Sequence, residues 1–245
     1  MELKKFSVES HQGPFLNINE DGYDFNLSDE LFMIFDGFGG SGIGDKNLVT
    51  LKENLKKFFH NFISDRNSTM PFYYSPKYLL EGNALINSAL FSHFELYKEN
   101  LKKPFGERAG ASGILALKFE SIVSLLSVGN CRAYILRKGK IKSVFSEDSF
   151  QLLSHDKFDG PHKNIPLSGF GLFPDLHYQL KEIRVTSGDK LLLITDGVYG
   201  RLDEDELQSG MSKDTINIKN KILELFELAN SRGNLDNQTC MILEF

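Results

Sequence analysis

Tryptophan, cysteine and long apolar runs are scarce in this chain, and each scarcity excludes a class of protein. The 245 residues include no tryptophan and two cysteines, Cys131 and Cys240, each inside a strand-like apolar run. Two such cysteines argue against a disulfide framework and fit a reducing compartment. No stretch approaches the roughly 20 apolar residues of a membrane span, and MELKKFSVES at the amino terminus lacks a long apolar segment. We therefore expect a soluble, cytoplasmic protein without membrane contact.

An excess of positive charge is also missing. The chain has 28 Lys and Arg against 33 Asp and Glu, a formal net charge of −5, and its basic residues are scattered. Nucleic-acid surfaces need basic residues gathered on one face, so we expect no nucleic-acid partner. No linker rich in proline, glycine or serine divides the chain, which is long enough to bury a large core. We expect residues 1–245 to form a single domain.

Apolar residues at three-and-four spacing predict long amphipathic helices. One extends from Lys46 to Phe62, with lysines on its other side, and one from about Thr215 to Asn230. A further helix is predicted from about Pro76 to Asn100, because Ser75-Pro76 has the cap-then-proline order favoured at helix starts. Residues 147–176 are irregular and predict a long surface loop, with one helical turn near 150–153.

Short apolar runs predict the strands. Residues 31–36 are apolar up to Asp36, as in a strand buried on both faces, and residues 17–25 resemble a strand that ends in a loop at Gly22. Four runs separated by two-residue connections predict an antiparallel meander of hairpins: 112–119, 122–128, 131–137 and 140–145. Antiparallel strands together with long helices indicate a layered α+β sandwich.

Three aspartates stand at the ends of strand-like runs. Asp36 ends LFMIFD, Asp196 follows KLLLIT, and Asp236 precedes the final run QTCMILEF. Strands that stack in one core can bring their ends together, and several carboxylates at one place repel one another unless a hard dication holds them. The pattern therefore predicts a metal site.

Six motifs in order resemble the metal-dependent, type 2C serine/threonine protein phosphatases. They are NED (19–21), DGFGG (36–40), GASG (110–113), GNCRAY (129–134), TDGVYG (195–200) and DNQT (236–239), and they span nearly the whole chain. The resemblance implies a four-layer α-β-β-α sandwich, in which two central antiparallel sheets are flanked by helix pairs. It also implies two Mn²⁺ or Mg²⁺ ions at one end of that sandwich.

The resemblance also implies a role for each ligand. Asp36 would bridge the two ions and Gly37 would lend its backbone carbonyl, whereas the other ligands would be Glu20, Asp21, Asp196 and Asp236. Carboxylate and carbonyl oxygens suit Mg²⁺ or Mn²⁺ better than zinc. Through the metals, Asp36, Asp196 and Asp236 would activate a water that attacks phosphorus.

Leu16 is the departure from the family pattern that bears most directly on substrate binding. It stands four residues before Glu20, where the family usually has an arginine that grips the substrate phosphate. Leucine cannot supply the paired donors of a guanidinium. Three other cations could take its place, and the sequence does not rank them: Lys46, Arg108 and Arg132.

Two further departures lie in the motifs themselves. Phe38 replaces the histidine of eukaryotic members or the methionine of bacterial ones, and we interpret it as an apolar cover. Asn130 stands where bacterial relatives hold a third ion through aspartate, so we predict a weak or missing third ion.

Two functional hypotheses follow from these motifs. The first is an enzyme that hydrolyses phosphoserine and phosphothreonine on proteins, with a cognate serine/threonine kinase as a possible signalling partner and residues 147–176 beside the substrate path. The alternative is a weakly active or inactive module that binds phosphoproteins or kinases, because Leu16 and Asn130 remove groups that act on substrate or metal.

Overall fold

The computed structural model describes residues 2–39, 44–64, 69–146, 148–149, 165–213 and 217–245. Its strands are β1 (Lys5–His11), β2 (Asp21–Asn26), β3 (Leu31–Phe38), β4 (Gly110–Phe119), β5 (Ile122–Val128), β6 (Arg132–Arg137), β7 (Lys140–Ser143), β8 (Gln179–Arg184), β9 (Lys190–Ile194) and β10 (Gln238–Glu244). Its α-helices are α1 (Gly44–Ser64), α2 (Leu80–Leu101), α3 (Asp196–Tyr199), α4 (Glu204–Ser212) and α5 (Ile218–Ser231). No helix in these ranges is long and apolar enough to cross a membrane.

The strands form two antiparallel sheets that pack face to face. One sheet has the order β2-β3-β4-β5-β8, and the other has the order β1-β10-β9-β6-β7. Helices α1 and α2 pack against the first sheet, and α3, α4 and α5 pack against the second. The predicted α+β class and the four-layer α-β-β-α arrangement are confirmed, although three helices rather than two lie on the second sheet.

Strand β3 is buried on both faces, as its apolar sequence predicted. Leu31, Met33 and Phe35 belong to the apolar layer beneath α1 and α2. The alternate residues Phe32 and Ile34 belong to the layer between the sheets, where they meet apolar residues of β9 and β10. Successive side chains of a strand point to opposite faces, so the next residue on the inter-sheet face is Asp36. The pattern that builds the core therefore also places this aspartate at its edge.

Helix α2 begins later than the sequence predicted, at Leu80 rather than near Pro76. The side chain of Asn83 explains the difference. Its Nδ2 donates to the carbonyl oxygens of Ser75 (2.9 Å) and Tyr78 (3.2 Å), and its Oδ1 accepts from the backbone N–H of Ser75 (2.8 Å). A buried amide thus satisfies backbone groups that a helix would otherwise bond, and the serine-proline pair remains in a turn.

The predicted four-strand meander is wrong at its centre. Strands β4 and β5 pair, and β6 and β7 pair, but β5 continues to β8 while β6 lies between β7 and β9 in the other sheet. Residues Gly129 and Asn130 therefore cross between sheets instead of closing a hairpin. Gly129 has φ +75°, a value that glycine adopts without strain. The crossing brings Asn130 to the end of the inter-sheet core.

The predicted order of strand and loop in residues 17–25 is also reversed. The loop comes first, and β2 begins at Asp21 and continues through Gly22, which pairs with Phe35 of β3. A Cβ at Gly22 would lie 3.3 Å from Cδ1 of Leu48, so glycine lets α1 pack closely on this strand. The acidic pair Glu20 and Asp21 therefore lies where the loop enters the strand.

The predicted helical turn near 150–153 lies outside the described residues, as does most of the predicted loop 147–176. The carboxyl-terminal part of that loop is held firmly. Phe170 forms an isolated β-bridge with Ala111. Asn100 of α2 donates to the carbonyl oxygen of Gly171 (2.7 Å), and Nδ1 of His93 accepts from the N–H of Gly171 (3.1 Å). These contacts fix the point at which the loop returns to the body of the protein.

The buried carboxylate of Asp189 stabilises the turn between β8 and β9. Burial acts to raise its pKa, but hydrogen bonds from Arg137 and Thr186 outweigh burial and lower the pKa below the usual range. Because the folded pKa is depressed, its contribution is present above the unfolded pKa and disappears as pH falls through the folded pKa. We expect Asp189→Asn to lower the free energy of unfolding by about 2 kcal/mol at pH 7.

This difference should shrink as pH falls below the unfolded value of about 3.9, and it should vanish only at a pH below the depressed folded pKa of the wild-type carboxyl. Urea unfolding of both proteins at pH 7 and pH 3 measures it. Glu99→Gln is the matched control, because the Glu99–Lys102 pair lies on the surface and its loss should leave stability nearly unchanged. A pH-independent difference for Asp189→Asn would contradict the electrostatic explanation.

Candidate metal centre

Asp21 and Asp36 lie directly opposite each other in the β2–β3 ladder. Asp36 continues the inter-sheet face of β3, so both carboxylates lie at the end of the core between the two sheets. Side chains directly opposite on neighbouring strands are close, and like charges there destabilise the pair. The register of one hairpin therefore brings together two acidic residues that the sequence separates by a loop.

Threonines of the second sheet hold Asp21 in place. Oγ1 of Thr195 donates to Oδ2 of Asp21 at 2.8 Å and accepts from the N–H of Thr239 at 2.9 Å. The side chain of Thr239 also hydrogen-bonds to Asp21. These threonines come from the ends of β9 and β10, so the carboxylate of Asp21 connects the two sheets.

Asp196, the first residue of α3, lies beside Asp21 and Asp36 at the end of the inter-sheet core. Its Oδ2 accepts from Nδ2 of Asn130 at 3.3 Å, and its carboxyl group is in hydrogen-bonding contact with Asp36. The hydroxyl of Tyr199, one turn along α3, donates to the backbone carbonyl of Asn130 at 2.8 Å. The segment that crosses between the sheets at Asn130 and the short helix α3 therefore hold each other in place.

Asn237 connects the carboxyl-terminal turn to the loop before β2. Its Oδ1 accepts from the N–H of Glu20 at 2.8 Å. Its Nδ2 donates to the carbonyl oxygens of Gln12 (2.8 Å) and Ile18 (3.0 Å). The neighbouring Asp236 accepts from the N–H of Asn237 at 2.8 Å. The side-chain amide of Asn237 thus sets the position of the backbone at Glu20, and its backbone N–H orients the carboxylate of Asp236.

Two glycines permit close backbone approach at this site. A Cβ at Gly197 would collide with the carbonyl oxygen of Asn237, and a Cβ at Gly37 would collide with that of Glu20. The N–H of Gly37 donates to this Glu20 oxygen at 3.1 Å. The glycines that follow Asp36 and Asp196 are therefore required by packing, which brings the acidic segments against one another.

The four aspartates are coupled electrostatically. Burial raises the pKa of Asp36 well above its usual range, and repulsion from Asp196, Asp21 and Asp236 raises it further. Burial also raises the pKa of Asp21 well above its usual range, with Asp196 and Asp236 adding to the effect, while the two threonine hydrogen bonds oppose it. Both shifts express the free energy that is needed to hold several anionic carboxylates together.

The structure thus brings together four of the predicted side chains: Asp21, Asp36, Asp196 and Asp236. Glu20 joins them through its backbone contacts with Gly37 and Asn237. As they stand, no three acidic, histidine or cysteine side chains in the described part of the chain form a group that could hold a metal ion. The backbones converge, and the assignment of these residues as ligands stays a prediction.

Comparison of the chain with known proteins shows which of them it resembles. No family model matches the chain. The serine/threonine phosphatase stp of Listeria monocytogenes is 26% identical over 144 residues, which cover 55% of this chain and 56% of that protein. The match thus spans about half the length of the curated relative. The chain is a relative of the type 2C serine/threonine phosphatases.

Solved structures extend the likeness in fold to the whole chain. Stp1 from Staphylococcus aureus has a TM-score of 0.83 at 23% identity, with 100% of this chain and 96% of Stp1 covered. The catalytic domain of PstP in complex with two manganese ions has a TM-score of 0.76 at 18% identity, with 98% and 97% covered. The described elements therefore form the type 2C phosphatase fold.

The departures from the type 2C pattern occupy distinct places. Leu16 is exposed in the loop before β2, and the ring of Phe38 packs on the backbones of Gly110 and Gly169. Arg108 donates to the carbonyl oxygen of Lys103 at 3.3 Å. The side chain of Lys46 lies outside the described part of the chain.

Arg132 has a different environment from these residues. Its guanidinium stacks 3.9 Å from the ring centroid of Tyr199. Arg132 also lines a cavity of 230 Å³ together with Asn130, Ser143, Asp148 and Tyr199 among others. Asn130 contacts Asp196, so this cavity adjoins the aspartates. Of the two candidate cations whose side chains the structure describes, Arg108 and Arg132, it is Arg132 that lines this cavity.

The sequence did not predict the residues that support the four aspartates. Thr195, Asn237 and Thr239 stand beside predicted aspartates in the motifs TDGVYG and DNQT. Their nearness to those aspartates was a signal, but threonine and asparagine are also common in plain turns at the ends of strands. The structure shows their supporting role, because their hydrogen bonds connect segments of the two sheets.

Proposed function

We propose that this chain hydrolyses phosphoserine and phosphothreonine in proteins with the help of two divalent cations, Mn²⁺ or Mg²⁺. The observation that carries the proposal is the convergence of Asp21, Asp36, Asp196 and Asp236, from three distant segments, at one end of the inter-sheet core. Their mutual repulsion is the electrostatic environment that a dication offsets. The likeness to the Listeria phosphatase and to the manganese complex of PstP supports it.

The donor set fits hard cations. The proposed ligands offer oxygen alone, through the carboxylates of Glu20, Asp21, Asp36, Asp196 and Asp236 and the carbonyl of Gly37. The thiol of Cys131 lies in the apolar layer between the sheets, and burial raises its pKa well above the usual range, so it is a poor ligand. Side-chain rotations would bring the carboxylate oxygens to an ion, because the backbones already converge.

The surrounding residues orient these ligands. Hydrogen bonds from Thr195 and Thr239 hold Asp21, and the amide of Asn130 holds Asp196. Asn237 fixes the backbone at Glu20. When bound, the divalent cations supply charge neutralisation for phosphoryl oxygens and a water of lowered pKa. In this proposal no aspartate acts as the nucleophile, and Asp36 lies opposite Asp21 in the ladder and in hydrogen-bonding contact with Asp196.

Arg132 is the residue we propose for contact with the substrate. It lines the cavity that adjoins Asp196, and its stacking on Tyr199 holds the guanidinium plane in one orientation. Arginine offers paired donors that match phosphate or carboxylate oxygens. This role would compensate in part for leucine at position 16.

We also propose phosphoproteins as partners and a cognate serine/threonine kinase as the opposing enzyme. We propose the cytoplasm as the location, and residues 1–245 as one catalytic domain.

Hydrolysis assays test the proposed function. Metal-stripped protein is given Mn²⁺ and assayed with p-nitrophenyl phosphate and with a phosphothreonine peptide. We expect activity with Mn²⁺, none with a chelator, and a loss of about 10²-fold or more in Asp196→Asn. Asp205→Asn, at an exposed aspartate of α4, is the matched control and should leave activity unchanged. Equal activity in Asp196→Asn and wild type would refute the proposed site.

The same assays separate the enzyme from the alternative, a module that binds phosphoproteins or kinases. Turnover close to that of an ordinary type 2C phosphatase excludes the alternative. Metal binding without turnover, together with retention of a phosphothreonine peptide, would replace the enzyme proposal with it. Metal binding is therefore measured by calorimetry on the same preparation.

Asn130 leads to a prediction on the number of ions. Its amide is neutral where bacterial relatives were expected to offer aspartate, so calorimetric titration with Mn²⁺ should saturate at two ions per chain. Asn130→Asp places a further negative charge beside Asp196 and should add a third, weaker binding step. Gln179→Glu, which adds the same charge at β8, is the control and should add none. Three tight sites in the wild type would overturn this prediction.

A further inference from the structure

A second cavity lies at the other end of the sandwich from the aspartates. It has a volume of 400 Å³ and lies between the start of β1 and the start of α5, with polar lining residues Lys5, Ser7, Asn217, Lys219, Lys221 and Glu244. Lys5 pairs with Glu244 in the β1–β10 ladder, whereas His11 pairs with Gln238 next to the aspartate site. Six residues of β1, at about 3.4 Å each, separate the two ends by about 20 Å.

Lys221 is the most informative residue of this cavity. Its side chain is 3% exposed. Its Nζ lies 3.4 Å from the carbonyl oxygen of Met211 and 3.5 Å from Oε1 of Glu244. Both distances exceed the range of about 2.7–3.2 Å that is usual for N–H···O bonds. A buried ammonium group with three donors and two long contacts is incompletely stabilised.

The carboxylate of Glu244 lies near the ammonium groups of two lysines. Its Oε1 also lies 3.7 Å from Nζ of Lys190, whose side chain is 13% exposed. One carboxylate therefore stands between two largely buried ammonium groups, Lys190 and Lys221. Burial and the nearby Lys190 lower the pKa of Lys221, in agreement with this crowding of positive charge. An additional anion at the cavity would relieve it.

The remaining wall of the cavity adds positive charge. Lys5 and Lys219 line it, and Lys219 forms an ion pair with Glu9 at 3.2 Å. Around the cavity, two glutamates stand against four lysines, which leaves a surplus of two positive charges: Glu9 and Glu244 against Lys5, Lys190, Lys219 and Lys221. Helix α5 begins here, and its first turn contains no acidic residue that would neutralise its N–H groups. Ser7 supplies a hydroxyl donor.

We propose that this cavity binds a small phosphate-bearing anion, with Lys219 and Lys221 as its principal ligands and Lys5 at the entrance. A phosphate group carries a charge of about −1.5 to −2 near neutral pH and accepts several hydrogen bonds. This charge matches the surplus of positive charge around the cavity. The cavity volume lies within the range of about 300–1,000 Å³ typical of small-molecule sites. The site is separate from the aspartate centre and does not depend on the proposed phosphatase activity.

The test is a titration of metal-free protein, in the presence of a chelator, with inorganic phosphate at constant ionic strength. Amide NMR shifts of Ser7, Ile218 and Lys219 report on the cavity. We expect saturable shifts at these residues, with smaller or no shifts at Asp36 and Asp196. Lys221→Met, which keeps the apolar length of the side chain, should weaken binding about tenfold or more.

Control variants keep this result interpretable. Lys98→Met removes an exposed lysine of α2 that pairs with Glu95, and it should leave the phosphate affinity unchanged. Lys219→Gln provides a second variant at the more exposed ligand, and it should also weaken binding if Lys221→Met fails to fold. Absence of saturable shifts, or equal affinity in the wild type and the cavity variants, would overturn the proposal.

A second arm of the titration distinguishes two sources of the phosphate group. A nucleoside monophosphate is compared with inorganic phosphate in the same protein. Tighter binding of the nucleotide, with further shifts near Phe6 and Asn217, supports an organic phosphate as the ligand. Equal or weaker binding of the nucleotide supports inorganic phosphate. Failure of the phosphatase assay would affect neither result.

Discussion

Asp36→Asn should lower kcat/KM for both p-nitrophenyl phosphate and a phosphothreonine peptide by about 10³-fold or more in Mn²⁺. Asp36 is the carboxylate that lies opposite Asp21 in the β2–β3 ladder and contacts Asp196. An asparagine keeps the shape but removes the charge that would be shared between two cations. The loss should appear in kcat as well as KM, because the proposed cations act on the reacting groups.

The same substitution should stabilise the metal-free protein. Like charges directly opposite in a ladder are unfavourable, so removing one should raise the free energy of unfolding by about 1 kcal/mol. Mn²⁺ should then raise the midpoint of thermal unfolding of the wild type more than that of the variant, because a ligand stabilises the state that binds it. A variant that is inactive merely because it unfolds would show the opposite change in stability.

Asp24→Asn is the matched control for these measurements. Asp24 lies three residues along the same strand from Asp21 and forms an ion pair with Lys56 at 2.7 Å. Its loss should leave activity and the response to Mn²⁺ unchanged. If Asp36→Asn retained activity within tenfold of the wild type, or if Asp24→Asn lost as much, the proposed centre would be wrong.

Asn237→Ala should reduce both stability and activity, because one side chain holds two segments of the site. It removes hydrogen bonds to the N–H of Glu20 and to the carbonyl oxygens of Gln12 and Ile18. At about 1 kcal/mol for each bond, and with some of these exposed groups regaining water, we expect a loss of about 2 kcal/mol. Movement of Glu20 should lower kcat/KM by about 10- to 100-fold.

Asn26→Ala tests whether that activity loss is local. Asn26 also makes several side-chain hydrogen bonds, to Ser28 and Asp29, but it lies in the β2–β3 turn at the other end of the hairpin. Urea unfolding should show destabilisation in both variants, whereas the phosphatase assay should show a loss in Asn237→Ala alone. Parallel losses of activity in both variants would indicate a general effect of stability.

The elements that the sequence predicted well have strong periodicity. Helix α1 was predicted over 46–62 and extends over Gly44–Ser64, because leucine and phenylalanine at three-and-four spacing define one face. Strand β3 was predicted as buried on both faces and is so. The start of α2 and the pairing of β5 with β8 were not predicted, because the buried side chain of Asn83 and the second sheet decide them.

In the candidate site, likewise, some residues were predicted from the sequence and others were not. Asp36, Asp196 and Asp236 stand at the ends of apolar runs, and the motifs around them already resemble those of the type 2C phosphatases. The supporting contacts could not be predicted: Thr195 donates to a residue 174 positions away, and Asn237 donates to one 225 positions away. Such contacts depend on sheet order and register, which local sequence patterns do not encode.

By itself, the sequence determined the α+β class, the buried strands and the likeness to type 2C phosphatases, because periodicity and motif order are local properties of the chain. Only the tertiary structure decided that the chain crosses between sheets at Asn130, which places this amide beside Asp196. The tertiary structure also decided that Lys190, Lys221 and Glu244 lie together at the end of the sandwich opposite the aspartates. Charges that are distant in sequence interact once two sheets and a helix enclose them, and that enclosure is a property of the whole fold.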